Sequence, residues 1–135
     1  MQKNYSIKQF NYGFFKMEKR GIHILANFFG CKNGDLLVDE DKLSHLLISA
    51  VKRNNLTILE STFHKFEGGG ITGFLLLSES HISIHTWPER DNYLALDIFV
   101  CNLEKDNTEN AKNIYKEVAK AFNPEKKDEQ FIERD

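Results

Sequence analysis

The run from Gly68 to Pro88, GGGITGFLLLSESHISIHTWP, constrains the fold more than any other part of the chain. A glycine cluster leads into the apolar stretch Ile71 to Leu77, whose residue types favour a strand. A strand leaving a buried sheet ordinarily turns polar at Gly, Asn or Asp. Here it delivers Ser78, Glu79, Ser80, His81, Ser83, His85 and Thr86 within nine residues. Strand alternation sets Ser83 and His85 on one side, and His81 lies beside Ser80, so hydroxyl nucleophile and imidazole base are expected as near neighbours.

With 135 residues the chain is expected to form one domain over 1–135, large enough for a core without metal or disulfide staples. A formal net charge of -2 gives no basic footprint for nucleic acid. No apolar run reaches the roughly 18 residues of a membrane span. The N-terminal stretch lacks the apolar region of a secretory signal. The expectation is a cytoplasmic protein with Cys31 and Cys101 as reduced thiols. Cys31, at a strand end, reads as a small buried hydrophobe.

Residues 1–20 alternate polar and aromatic types without a period and read as an N-terminal extension. Ile22 to Phe29 is a first strand, stopped by Gly30. Leu43, Leu46, Leu47, Ala50 and Val51 mark one helix face, with Asp39, Glu40 and Asp41 before it and Lys52 and Arg53 at its end. Leu56 to Phe66 and Ile71 to Ser78 form a hairpin through Glu67-Gly68-Gly69-Gly70. His81 to Thr86 and Tyr93 to Cys101 follow as strands. A second helix, capped by Asn107 or Thr108, carries Ala111, Ile114, Tyr115, Val118 and Phe122 and ends before Pro124. The tail, EKKDEQFIERD, reads as an edge strand or a frayed end. This order predicts an α+β two-layer sandwich, a mainly antiparallel sheet with two helices on one face and a site or second subunit on the other.

Three chemistries compete for the polar run. A metal site at His81 and His85 is disfavoured, because four residues of strand hold them roughly 13 Å apart. A Ser/His/Asp hydrolase would use Ser80 or Ser83, His85 and Asp97, but no G-x-S-x-G elbow is present. The third is a serine attacking its own preceding peptide bond. That requires the Glu79-Ser80 carbonyl in a strained turn, oxyanion donors and a base. Thr72, Ser78, Ser83 and His85 are candidates for those groups, and residue types alone leave the geometry open.

The segments Phe63-His64-Lys65-Phe66, Gly70-Ile71-Thr72-Gly73, Glu79 to Glu89 (ESHISIHTWPE) and Asp97 to Cys101 (DIFVC) resemble the prokaryotic type of S-adenosylmethionine decarboxylase. The resemblance runs from about His23 to Phe122. It implies that Ser80 undergoes an N-to-O acyl shift and β-elimination, splitting the chain into a β chain of 1–79 and an α chain of 80–135. The new N-terminus would carry a covalent pyruvoyl cofactor derived from Ser80. By the same resemblance His85 removes the Ser80 α-proton, Thr72 assists the rearrangement where serine is common, and Cys101 is the proton donor in decarboxylation. Phe66 would stack on adenine and Glu89 would bind the ribose hydroxyls. The implied reaction condenses the pyruvoyl ketone with the α-amine of S-adenosylmethionine, releases CO2 and yields the aminopropyl donor for spermidine and polyamine synthesis. The implied assembly is a homodimer of processed αβ protomers, with pocket residues near or across its interface. Two departures from the family pattern are the flexible Gly68-Gly69-Gly70 turn and an Arg90-Asp91-Asn92 loop about one residue longer. Relatives with the same machinery act on ornithine or arginine, and a non-cleaving homologue acting as a binding partner is the remaining alternative.

Overall fold

Apolar residues recur at every second position along several segments of this chain, and such segments hide their apolar side by joining one sheet covered on one face. In the computed structural model, which describes residues 20–135, the order is β1 (Gly21–Phe29), α1 (Asp35–Val38), α2 (Glu40–Arg53), β2 (Ile58–Lys65), β3 (Ile71–Leu77), β4 (Ser80–Trp87), β5 (Tyr93–Cys101), α3 (Thr108–Phe122) and β6 (Lys126–Arg134). The strands form one six-stranded sheet in the order β2-β3-β4-β5-β1-β6. Every pairing is antiparallel. The α+β two-layer sandwich expected from the sequence is the architecture found. The extension read at 1–20 lies, apart from Arg20, outside the described residues.

The inner face of the sheet is the core. Ile22, Ile24, Ala26 and Phe28 of β1 alternate into it, as do Ile82 and Ile84 of β4 and Leu94, Leu96, Ile98 and Val100 of β5. Leu43, Leu47, Ala50 and Val51 of α2 and Ala111, Ile114, Val118 and Phe122 of α3 close over them. Each fully buried Leu or Ile contributes about 2 kcal/mol. The odd-numbered residues of β4 and β5 face the other way and stay half-buried.

Two local features depart from the sequence reading, and one alternative it left open is decided. The four-residue α1 was not expected, because one turn is too short to show a helical period; burial of Leu36 and Leu37 holds it in place. Asn107 occupies the N-cap position of α3, but its side chain makes no cap bond. Asp106 accepts the Thr108 N–H instead, at 2.9 Å. The tail is an edge strand rather than a frayed end, and it pairs with β1 along its whole length. Tyr115 of α3 donates its hydroxyl to Glu129 of β6. The Phe131 ring meets Tyr115 edge-on at 5.5 Å.

Thr86 is the one buried hydroxyl in the sheet, and its Oγ1 ties three elements together. It accepts from Ile71 N–H at 2.8 Å and donates to the Leu37 carbonyl of α1 at 2.7 Å. The chain before β3 must approach closely for this, so Gly70 has no room for a side chain: a Cβ there would lie 1.8 Å from the Thr86 carbonyl oxygen. Gly70→Ala is expected to destabilise the fold by about 3 kcal/mol, read as a shift in the urea midpoint; an unchanged midpoint would mean that the loop moves freely away from β4.

Cys31, just past β1, is 1% exposed, and burial pushes its thiol up to about 11. Cys101 is partly exposed, and neither cysteine is in a disulfide. A thiol reagent at about pH 8 is expected to modify Cys101 and spare Cys31 in the folded protein, since only an accessible thiolate reacts. Denaturant should release both; equal labelling without denaturant would contradict the packing of Cys31.

Candidate active site

Leu77 pairs directly with Ser80, so β3 and β4 are joined by Ser78 and Glu79 alone. Tight hairpins need a residue at positive φ, usually glycine. This turn has none, and Ser80 takes φ +136°. L residues rarely hold that conformation unless their surroundings impose it. By the alternation that buries Ile82 and Ile84, Ser80 belongs to the helix side. It nevertheless lines an opening of about 170 Å³ with Phe99 and Cys101 of the outer face, bordered by Arg20, Gly21 and Arg134.

The turn is held from both sides. Cys101 N–H donates to the Glu79 carbonyl oxygen at 2.7 Å, and Ser78 N–H donates to the Thr57 carbonyl at 3.0 Å. The Glu79 carboxylate accepts Thr57 N–H at 3.0 Å. A carbonyl that already receives a short hydrogen bond is polarised towards attack, and the same donor meets any negative charge that develops on its oxygen.

Charged and aromatic groups surround this end. The Arg134 guanidinium sits 4.4 Å from the centre of the Phe99 ring. His81 stacks on Phe74 at 5.6 Å and meets Phe99 edge-on at 5.9 Å. Burial chiefly, then the nearby His23, hold the His81 imidazole below its ordinary range; Arg134 adds to this and Asp97 opposes it.

A second cluster forms at the other end of β4. Phe66, Thr72, His85 and Glu89 line an opening of about 310 Å³, together with Gly69, Gly70, Thr86 and Trp87. Thr72 and His85 face each other across β3 and β4, with Thr72 Oγ1 and His85 Nδ1 hydrogen-bonded at 3.0 Å. Phe66 is 51% exposed, an unusual setting for a large aromatic. The loop carrying Glu89 is anchored by Gly30 N–H on the Asp91 carbonyl at 3.0 Å and by Asn92 Nδ2 on the Cys31 carbonyl at 3.1 Å. Asp91 and Asn92 turn that loop at φ +53° and +49°.

Ser80 and Cys101 are thus brought together, and so are Phe66, Thr72, His85 and Glu89. The two groups are not brought together within one chain. Five residues of extended β4 separate Ser80 from His85, roughly 16 Å of strand. Ser83 and His85 share the outer face as expected, but within one chain His85 lies a strand's length from Ser80. A Ser/His/Asp triad is not formed either, since Asp97 Oδ1 accepts from His23 Nε2 at 3.1 Å. Among the described residues no group of three or more His, Cys, Asp or Glu is placed to hold a metal ion.

The sequence reading gave no role to Asn102 or Arg134, and it named Thr86 only within the polar run and Asn107 only as a possible helix cap. Thr86 had a legible signal, a hydroxyl at an even position of β4 where the other even residues are apolar. The asparagines did not, because Asn102, just past a strand, reads as a loop residue and Asn107, at a helix start, reads as a cap.

The family model of S-adenosylmethionine decarboxylase matches residues 22–135. The chain is similar to the S-adenosylmethionine decarboxylase proenzyme of Sulfurihydrogenibium sp. (strain YO3AOP1), 43% identical over 125 residues that cover 87% of this chain and 85% of the relative. It is 39% identical over 118 residues to the proenzyme of Methanococcus maripaludis (strain C5), covering 87% of this chain and 92% of the relative. The crystal structure of the adenosylmethionine decarboxylase from Aquifex aeolicus VF5 superposes with a TM-score of 0.77 at 35% identity, covering 86% of this chain and 91% of that one. A sheet with this strand order, a strained serine at its hairpin and this degree of likeness lead to one conclusion: the chain belongs to the S-adenosylmethionine decarboxylase family.

Proposed function

We propose that this chain is a self-processing decarboxylase of S-adenosylmethionine, a single domain cut between Glu79 and Ser80 into a β chain ending at residue 79 and an α chain beginning at residue 80. The observation that carries the reading is the Glu79-Ser80 peptide itself, with Ser80 at φ +136° and the Glu79 carbonyl receiving Cys101 N–H at 2.7 Å. In the first step Ser80 Oγ bonds to the Glu79 carbonyl carbon, the carbon–nitrogen bond breaks, and the hydroxyl proton passes to the freed amine. In the second, a base takes the Ser80 α-proton and the Glu79 carboxylate departs with Oγ. The resulting enamine tautomerises, and water releases ammonia to leave a pyruvoyl group.

That group fits where Ser80 lies, at an opening with one thiol and a backbone donor. When formed it supplies the carbonyl that takes up the substrate amine and the electron pair released with CO2. The Cys101 thiol then delivers a proton to the former α-carbon. Phe66 offers an exposed ring for adenine and Glu89 a carboxylate for ribose hydroxyls, at the rim of one opening. The product would serve as aminopropyl donor for spermidine, in the cytoplasm.

His85 and Thr72 reach Ser80 only if a second copy supplies them. The outer face supports a homodimer: it exposes Phe74, Leu76 and Ile132, and helices cover only the other side. A twofold axis through the middle of that face reverses the strands, setting the Ser80 end of one protomer against the His85 end of its partner.

Ser80→Ala is expected to remain a single chain without activity, seen by intact mass and CO2 release. Cys101→Ala keeps the backbone N–H, so it should still be cut while turning over about 100-fold more slowly. Cleavage of Ser80→Ala, or unchanged turnover of Cys101→Ala, would refute the respective role. The shared site has its own test: Ser80→Ala and His85→Ala, each uncut alone, should yield cut His85→Ala chains when co-expressed. No cleavage in the mixed dimers would require both groups to act within one protomer.

A further inference from the structure

Three polar side chains are buried among the described residues, Thr86, Asn102 and Asn107 at 5%, 5% and 3% exposure, and two of them lie directly behind Cys101. Asn102 follows Cys101 in the chain, and its own N–H donates to the Arg20 carbonyl at 2.6 Å. Its Oδ1 accepts Asn107 N–H at 2.8 Å, and its Nδ2 donates to Thr108 Oγ1 at 3.0 Å. Asn107 Nδ2 then donates to the Cys101 carbonyl at 3.1 Å.

The position of Asn107 makes this informative. At the start of a helix an asparagine side chain ordinarily accepts a backbone N–H from the first turn. Asn107 makes no such bond, and Asp106 does that work at Thr108 N–H with a 2.9 Å contact. The Asn107 amide is directed at Cys101 instead. Cys101 is therefore fixed at both ends, by Asn107 on its carbonyl and by its N–H on the Glu79 carbonyl at 2.7 Å.

We propose that Asn102 and Asn107 are positioning residues for self-cleavage, a buried amide pair that holds Cys101 N–H on the Glu79 carbonyl oxygen while Ser80 Oγ attacks. The inference rests on the self-cleavage reading above. As the Ser80 Oγ–carbon bond forms, the carbonyl electron pair moves onto that oxygen, and the preset N–H receives the charge without reorganising. The pair acts through Cys101 and touches none of the reacting atoms.

The test follows cleavage of freshly translated chain with and without hydroxylamine, which splits an accumulated ester but not an amide. Asn107→Ala loses the donor. Asn107→Asp keeps the size and can cap α3, yet has no hydrogen for the Cys101 carbonyl. Both are expected to be cut at least about 10-fold more slowly, with no acceleration by hydroxylamine, because the acyl shift itself is slowed. His85→Ala, blocked at the later elimination, is the reference that hydroxylamine does cut. Asn102→Ala removes the oxygen that receives Asn107 N–H, so it too is expected to be cut at least about 10-fold more slowly, again without acceleration by hydroxylamine.

Wild-type cleavage of Asn107→Asp, or rapid release of either Asn107 variant by hydroxylamine, would overturn the proposal. So would loss of cooperative thermal unfolding in both Asn107 variants, which would make the residue a folding element. A wild-type chain that never splits would overturn the self-cleavage reading, and this inference with it.

Discussion

The hydrogen bond from Cys101 N–H to the Glu79 carbonyl joins the last residue of β5 to the turn between β3 and β4, and the geometry of the candidate site depends on it. A two-residue hairpin without glycine has to place a side-chain residue at positive φ, at a cost of order 1–3 kcal/mol. The chain sustains Ser80 in that state because both flanking strands are already committed, β3 to β2 and β4 to β5. The 2.7 Å bond then sets which way the strained peptide faces. Strain and polarisation fall on one carbonyl, next to one hydroxyl.

The sheet divides its labour by face. The inner side of β1 and β5, and of β4 from Ile82 onward, is apolar but for Thr86, and that hydroxyl is fully engaged. Stability can therefore rest on residues that take no part in chemistry. The outer side carries Thr72, His81, Ser83, His85, Asp97 and Cys101, groups that would destabilise a core if buried without partners. Leaving that side free of helices keeps these groups accessible, while its half-buried aromatic rings limit their hydration.

Much of this was legible in the sequence. Period-two alternation in β1, β4 and β5 and the apolar stripes of α2 and α3 follow from burial alone, so element types and the one-sided sandwich could be read directly. Distances along a strand were less accessible to intuition. His85 stands five places from Ser80, close in print, yet at 3.3 Å per residue those places are a strand's length. The N-cap of α3 failed for another reason: propensity assigns Asn107 to the helix, whereas its tertiary bond to the Cys101 carbonyl prevails. Ser80 could be singled out as a reactive type, but its positive φ arises from the pairing of Leu77 with Ser80, a register that only the folded sheet defines.

The location of the turn also bears on what a cut would do to the fold. Breaking the chain between Glu79 and Ser80 removes a connection but no strand pairing. Residues 20–79 would keep β1, α1, α2, β2 and β3, and residues 80–135 would keep β4, β5, α3 and β6. The two pieces interleave rather than lie side by side. β4 pairs with β3 of the other piece, and β1 lies between β5 and β6, both of the other piece. Separating them would expose the inner face of the sheet, whose buried Leu and Ile side chains are each worth about 2 kcal/mol. That loss far exceeds what one peptide bond contributes by joining strand ends already adjacent, since loop closure over so short a span carries little entropy. A chain built this way can have its backbone opened at Ser80 and remain one domain, which is the condition under which a turn can become an active centre without endangering the fold.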